Sequence, residues 1–145
     1  MLSEWVIVFR LILAAVLSGI VGFEREFHGR SAGFRTHILL CVGSTLIMIT
    51  SVHIFDVYYG RTPVDPARLA AGVVTGIGFL GAGTIIRSGE SVRGLTTAAS
   101  LWTVSGIGLA VGCGFYIAGW ATAIIAFATL YLLRKIPIDA EDKQK

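Results

Sequence analysis

The run WVIVFRLILAAVLSGIVGF, residues Trp5–Phe23, decides the fold of this chain. Its only charged residue is Arg10, and the other residues are apolar or small. A helix rises about 1.5 Å per residue, so about 20 apolar residues cross the ~30 Å hydrocarbon layer of a bilayer. The run therefore predicts a transmembrane helix, in which Arg10 is expected to extend towards the outer lipid headgroups.

The composition of the whole chain supports a membrane protein. Of its 145 residues, 54% are hydrophobic and 14% are charged, and the mean hydropathy is +0.77. Roughly a quarter of the residues in soluble domains are charged, so an ordinary soluble domain is excluded. The chain also has 18 glycines, many of which lie inside apolar runs, as they do in membrane helices.

Four more apolar stretches are long enough to span a bilayer. They are residues 34–55, 67–86, 95–112 and 115–133. Backbone polar groups in lipid must be paired within the protein, and no stretch alternates like a barrel strand, so each is expected to be helical. The sequence thus predicts an all-α membrane protein, a compact bundle of about five transmembrane helices within residues 1–136. The alternative is four helices and a re-entrant segment, because the third stretch could break at its glycines.

The basic residues are distributed unequally between the two predicted sides of the membrane. Apart from Arg10, nine Lys and Arg residues fall on the side where the first, third and fifth stretches end, against Arg61 and Arg68 on the other. The positive-inside rule then places the N-terminus outside and the C-terminus in the cytoplasm. Residues 137–145 are expected to form a short cytoplasmic tail without an appended soluble domain. Basic loops beside anionic lipid account for the net charge of +3, so the expected partner is the lipid bilayer and not nucleic acid.

Charged residues are dense where the first predicted helix ends, in the segment Glu24–Arg30. Glu24 and Glu26 are two residues apart and lie on different faces of a helix, so they cannot both bind one metal ion. Mg²⁺ usually keeps several waters and takes one or two carboxylates, so Glu24 or Glu26 alone is a candidate ligand. The segment is either an ion-paired helix end, with Glu24 and His28 four residues apart, or an inward-facing functional site that includes Arg25.

The second and fourth predicted helices both begin on the cytoplasmic side, close to basic and hydroxyl side chains. These residues are Arg35, Thr36, His37, Arg93, Thr96 and Thr97. Helix N-termini carry unpaired N–H groups and positive partial charge, so together with the arginines they predict an anion site. The anion could be a phosphate, a lipid headgroup or the carboxylates of Glu24 and Glu26, and pairing of the arginines with those glutamates is favoured. The alternative for His37 is a histidine that only packs.

Glycines mark the third and fourth predicted helices. The candidates for helix packing or for a pore are Gly72, Gly76, Gly78, Gly81, Gly83, Gly108 and Gly112. A spacing of four residues, as in Gly72/Gly76 and Gly108/Gly112, lets two helix backbones approach closely. The alternative is an unwound pore or hinge segment at 76–83. No phosphate-binding loop, zinc motif or catalytic triad pattern is present in the sequence, so an enzyme is not expected.

Four ordered motifs resemble the MgtC/SapB family of bacterial inner-membrane proteins. They are GFERE at 22–26, AGFRTH at 32–37, GIGFLGAG at 76–83 and VRGLTTAASLW at 92–102. The resemblance implies a small helical membrane domain in the inner membrane. It also implies a role in adaptation to low magnesium and, in a pathogen, in survival inside host cells. Longer members append a cytoplasmic domain, whose role is not carried over to this chain.

Two functions are therefore expected as alternatives. The first is a non-enzymatic regulator of ion homeostasis that contacts other membrane proteins through its charged cluster and glycine faces. The second is a small transporter or channel for Mg²⁺ or another ion, which would need a homo-oligomer because one chain offers a single acidic cluster. No resident cofactor is expected in either case, and the alternative is a bound Mg²⁺ ion.

Overall fold

The computed structural model describes residues 2–135, which form five α-helices and a small β-hairpin. The helices are α1 (Glu4–Phe27), α2 (Phe34–Tyr58), α3 (Ala67–Ala82), α4 (Leu95–Cys113) and α5 (Tyr116–Leu132). The strands are β1 (Ile86–Ser88) and β2 (Ser91–Arg93), and a 3₁₀ turn follows α5 at Leu133–Lys135. The predicted all-α bundle is confirmed. The predicted tail, 137–145, lies outside the described residues.

Three of these helices, α1, α2 and α4, are long and apolar enough to cross a membrane. The other two are apolar but shorter, with 16 residues in α3 and 17 in α5. At about 1.5 Å per residue they reach ~25 Å, a little less than the hydrocarbon thickness. The sidedness of the bundle stays a prediction.

The interior of the bundle is arranged around α4, which packs against each of the other four helices. The core side chains of the bundle come from α1, α2, α4 and α5. They are Ala14, Leu17, Val21, Cys41, Val104, Ile107, Val111 and Ala123. Large apolar residues such as Phe79 and Ile117 lie outside, with 82% and 80% of their surface exposed. Buried hydroxyls lie inside, where Thr45 Oγ1 donates to the Gly108 carbonyl at 3.0 Å. This distribution suits a bilayer, because lipid solvates the apolar periphery while the interior pairs its own polar groups.

Glycines fix the closest helix contact, between α2 and α4. A methyl group added at Gly112 would lie 2.6 Å from Met48 Cβ, and one added at Gly108 would lie 2.8 Å from Ser44 Cβ. Real side-chain atoms do not approach so closely, so any larger residue would push the two helices apart. The Gly108/Gly112 pair therefore sets the distance between α2 and α4.

The third predicted span is a continuous helix, but it ends earlier than 86. α3 is unbroken from Ala67 to Ala82, so the re-entrant alternative is not observed, and Gly83 follows as the C-cap. Residues 86–93 pair as a β-hairpin, whose turn uses Gly89 at φ +61°. Gly94 connects the hairpin to α4 with φ +93°, and a Cβ at this position would collide with the Thr84 carbonyl oxygen. The apolar stretch thus extends beyond the helix because residues 83–85 form a turn and Ile86 begins the hairpin.

The expectation that Arg10 extends to the headgroups is wrong. Only 8% of Arg10 is exposed, because its guanidinium turns inward to the end of α4. Nη1 donates to the Gly112 carbonyl at 2.7 Å, and Nε donates to Tyr116 Oη at 3.0 Å. The last carbonyls of a helix lack intrahelical partners and carry negative partial charge. They can therefore accept the hydrogen bonds that a buried arginine would otherwise donate to water.

Candidate functional site

A buried polar cluster lies where α1 ends and α2 and α4 begin. It consists of Glu24, Arg25, His37, Thr97 and Ser100, each at most 5% exposed. Three of these residues come from the family-like motifs at 22–26 and 32–37, and two from the start of α4. We call this group the polar cluster. Ionisable side chains in the interior of a membrane protein are costly, which makes them candidates for function.

Hydrogen bonds in the polar cluster connect three helices. Arg25 Nη2 donates to Thr97 Oγ1 at 3.2 Å, which joins α1 to α4. His37 Nε2 lies 3.1 Å from Ser100 Oγ, which joins α2 to α4, and His37 Nδ1 lies 2.8 Å from the Gly33 carbonyl oxygen. Since a carbonyl only accepts, the His37 proton is on Nδ1 when the ring is neutral. His37 Nε2 then shares the single proton of the Ser100 hydroxyl with the Thr97 carbonyl, which lies 2.8 Å from Ser100 Oγ.

Glu24 is the least satisfied member of the polar cluster. Its side chain is 2% exposed, and neither carboxylate oxygen has a hydrogen-bond partner among the described residues. Arg25 Nη1 lies 3.8 Å from Oε2, and His28 Nδ1 lies 2.9 Å from Oε1 without hydrogen-bond geometry. The same His28 nitrogen bonds the Glu24 carbonyl oxygen at 2.8 Å. A buried charge with so few bonds lowers stability, so its presence calls for an explanation other than stability.

Glu26 lies on a different face of α1 from Glu24 and caps the start of α2. It is exposed, and its Oε2 accepts the backbone N–H of Phe34 at 2.7 Å. A carboxylate there pairs one of the free N–H groups at the start of α2 and complements the helix dipole. The two glutamates thus separate into one buried and one capping residue.

The favoured pairing of Arg35 with these glutamates is not observed. Arg35 is exposed and makes no ion pair with either glutamate. Arg35 and His37 are two residues apart, which is about 200° around a helix, so the turn that buries His37 against α4 directs Arg35 outward. The other predicted residues outside the polar cluster are also exposed, namely Thr36, Arg93 and Thr96. Arg25 is the arginine that accompanies Glu24.

The predicted glycines divide between two environments. Gly81 packs on α4, where an added Cβ would lie 3.6 Å from that of Ala98, and Gly83 ends α3. Gly72, Gly76 and Gly78 are exposed and have nothing within 4 Å of an added Cβ. Gly72 and Gly76 instead line a groove of about 1040 Å³ between α2 and α3, which Arg35 also lines. Of the seven predicted glycines, only Gly108 and Gly112 would place an added Cβ within 3.0 Å of another helix.

The donor set around Glu24 fits Mg²⁺ poorly. No group of three or more His, Cys, Asp or Glu side chains converges anywhere within residues 2–135. Glu24 is the only buried acidic residue in that range, and its carboxylate already has the Arg25 guanidinium at 3.8 Å and the His28 ring at 2.9 Å. A cation that is already present competes with Mg²⁺ for the same carboxylate, and one carboxylate is the minimum for a Mg²⁺ site.

Sequence reasoning missed Ser100 because a hydroxyl in an apolar helix carries no charge signal. Its position offered one clue, the three-residue spacing from Thr97. Thr97 and Gly108 are eleven residues apart, about three helical turns, and so share the face that meets α2. Polar residues on a glycine-marked face are the sign of an interior network.

Comparison with known proteins identifies the family. The model of the MgtC family matches residues 11–137. The chain belongs to the MgtC family. Together with the three apolar helices of spanning length, this makes it a multi-pass bacterial membrane protein. The resemblance inferred from the four motifs is confirmed.

Three curated relatives illustrate the similarity. The chain is 42% identical over 138 residues to "Putative magnesium transporter YhiD" of Escherichia coli (strain K12), covering 94% of this chain and 63% of that protein. It is 38% identical over 145 residues to Protein MgtC of Salmonella typhimurium (strain LT2), covering 95% and 60%. It is 36% identical over 151 residues to Protein SapB of Bacillus subtilis (strain 168), covering 96% and 65%.

The chain therefore spans about three fifths of the length of the curated relatives that it matches. The name of the Escherichia coli relative refers to a transporter, and none of the three names refers to an enzyme. No solved structure matches the chain.

Proposed function

We propose that this chain is a regulator of ion homeostasis that is needed when magnesium is scarce and acts on other membrane proteins. One observation carries the choice of a regulator. The middle of the bundle, between the polar cluster and Arg10, is closely packed. Leu17, Val21, Val104 and Val111 are fully buried there, and the buried hydroxyls of Ser18, Ser44, Thr45 and Ser105 bond one another or backbone carbonyls. An ion crossing this layer would lose its hydration, and the hydroxyls that could replace the lost waters are already paired. A single copy therefore offers no hydrated path along its axis.

The link to magnesium rests on the family. The name of the Escherichia coli relative refers to magnesium transport, and the MgtC-like motifs imply adaptation to low magnesium. The regulatory part rests on the polar cluster, in which Glu24 is neutralised by Arg25 of the same chain. A charge pair that is buried yet poorly bonded is suited to a switch or a contact that a partner completes.

A homo-oligomeric transporter is the second candidate. The groove between α2 and α3 supports it, since Gly72 and Gly76 leave that surface open to another copy. A path between copies would then run along the groove. Arg35 at the groove would repel Mg²⁺, and most of the other lining residues are apolar. The regulator is therefore the better supported function.

The deciding experiment measures flux and growth with the same protein. Purified chain is reconstituted in liposomes that hold a magnesium-sensitive dye, and the same gene is expressed in a bacterial strain deleted for its MgtC-family protein. We expect Mg²⁺ entry at the rate of empty liposomes, together with restored growth in low magnesium. An ionophore serves as the positive control for the dye.

Two matched variants separate the candidates. Glu24→Gln removes the buried charge, and Glu26→Gln removes the exposed one next to it on the same helix. Flux that Glu24→Gln abolishes and Glu26→Gln preserves would establish the transporter instead. Absence of both flux and growth rescue would refute the proposed role in magnesium adaptation.

A further inference from the structure

A second cavity lies beside the polar cluster, at the same end of the bundle. It has a volume of about 560 Å³, within the roughly 300–1,000 Å³ of small-molecule sites. The end of α1, the start of α4 and the end of α5 surround it. We call it the arginine pocket, because Arg25, Arg30 and Arg134 line it.

The charge of the arginine pocket is positive. Among residues 2–135, its lining contains the three arginines and no acidic residue. Glu24 is the nearest carboxylate described, 3.8 Å from Arg25 Nη1, and one carboxylate cannot neutralise three guanidinium groups. Like charges that share a cavity repel one another, so an anion that enters would relieve this repulsion.

Two unsatisfied donors belong to residues that line the pocket. Arg25 Nε is buried and has no hydrogen-bond partner among the described residues, and the side chain is 6% exposed. The second donor is the N-terminus of α4, which no side chain caps. The first residues of a helix have N–H groups without intrahelical partners, and here Leu95, Thr96 and Thr97 line the pocket.

We propose that the arginine pocket binds a phosphate group. A phosphate carries several acceptor oxygens and up to two negative charges, so it can accept from Arg25 Nε, from the start of α4 and from the exposed guanidinium groups together. A carboxylate has only two oxygens and satisfies fewer of these donors. The phosphate is that of a free phosphate compound or that of an anionic lipid headgroup.

This site goes beyond the proposed function and can be tested without growth or ion flux. Arg30 and Arg134 are exposed, so replacing them leaves the core intact. The test variants are Arg30→Gln and Arg134→Gln. The matched control is Arg87→Gln, which removes an equal charge from an exposed residue that does not itself line the pocket, although Val92 of the same hairpin does.

The experiment uses the full chain in lipid nanodiscs at constant ionic strength. In discs of phosphatidylcholine alone, inorganic phosphate is titrated by calorimetry, with chloride as the comparison anion. In discs that also contain phosphatidylglycerol, native mass spectrometry counts the lipids retained. Circular dichroism verifies that every variant is folded.

Saturable phosphate binding that each pocket variant weakens about tenfold, with Arg87→Gln unchanged, supports a site for free phosphate. Retention of phosphatidylglycerol with the same dependence on the variants, but no binding of phosphate, supports a headgroup site. Failure of both ligands to bind would overturn the proposal. Equal weakening by all three variants would also overturn it, because a diffuse surface charge would then explain the binding.

Discussion

The first helix carries two buried arginines, one near each end, and their surroundings differ. Arg10 donates to the Gly112 carbonyl and to Tyr116 Oη, at the point where α4 ends and α5 begins. Arg25 donates one hydrogen bond to Thr97, keeps Nε without a partner and lies 3.8 Å from an unbonded Glu24 carboxylate. One end of the bundle is therefore satisfied and the other is not.

This difference indicates that Arg10 contributes to the stability of the fold, whereas Arg25 and Glu24 contribute to activity. Arg10 provides bonds that the ends of α4 and α5 need, so its burial is explained by the fold. The pair of Glu24 and Arg25 costs desolvation that its own contacts do not return, so the fold gains little from it. We expect changes at Arg10 to affect mainly the stability of the protein, and changes at the pair of Glu24 and Arg25 to affect its activity.

The largest effect on stability is expected from Arg25→Met. The change leaves Glu24 buried without its cation, and removing one partner of a buried pair costs about 3–5 kcal/mol. The free energy of unfolding in detergent micelles measures it. A loss below about 1 kcal/mol would mean that Glu24 is already stabilised by His28, and that Arg25 is not its essential partner.

Arg10→Met should cost somewhat less, about 2–3 kcal/mol, because hydrogen bonds to a charged donor are lost and the Gly112 carbonyl is left unpaired. Growth in low magnesium should fall only in proportion to the folded protein recovered. Arg10→Lys is the matched control, which keeps the charge but not the fork of donors, and it should recover part of the stability. Loss of growth with normal amounts of folded protein would remove the contrast between the two arginines.

Ser100→Ala tests the bond between α2 and α4 and should cost about 1 kcal/mol, since buried His37 loses the partner of Nε2. Thr103→Ala on the same helix is the control, because Thr103 is half-buried and its hydroxyl bonds only the Ala99 carbonyl of its own helix. Its expected change is within about 0.5 kcal/mol. Equal effects of the two variants in thermal unfolding would show that the hydrogen bond to His37 contributes nothing.

Glu26→Gln should have the smallest effect, about 0.3–1 kcal/mol, because it weakens a charge interaction at the exposed start of α2. The effect should shrink as salt is added, since the site is open to solvent. Growth in low magnesium should be unchanged. An effect on growth as large as that of Glu24→Gln would place function on both glutamates.

Much of this architecture follows from the sequence. Apolar length predicts all five helices, and a two-residue spacing predicts that Glu24 and Glu26 lie on different faces, which the structure shows as one buried and one exposed residue. The residues of one helix alone do not determine how that helix is rotated about its own axis. Whether His37 or Arg35 faces inward depends on which side α4 occupies, and so the sequence suggested the wrong arginine for Glu24.

The same limit explains Arg10. A lone arginine in an apolar run is expected to seek water, unless another helix presents free carbonyls at the same depth. Here Gly112 and Tyr116 are 102 and 106 residues away along the chain, so no local pattern could reveal them. Contacts of that kind come from packing, which is fixed by the close crossing of α2 and α4 at Gly108 and Gly112.

The central claim is that Glu24 and Arg25 are kept for activity and not for stability. The double variant Glu24→Leu/Arg25→Met tests it most directly, because replacing a buried ion pair by apolar residues is often neutral or stabilising by about 1–4 kcal/mol. The measurement is the free energy of unfolding together with growth in low magnesium. We predict that the double variant is at least as stable as the wild type and fails to support growth. A double variant that supports growth like the wild type, or one that is as unstable as Arg25→Met alone, would contradict the claim.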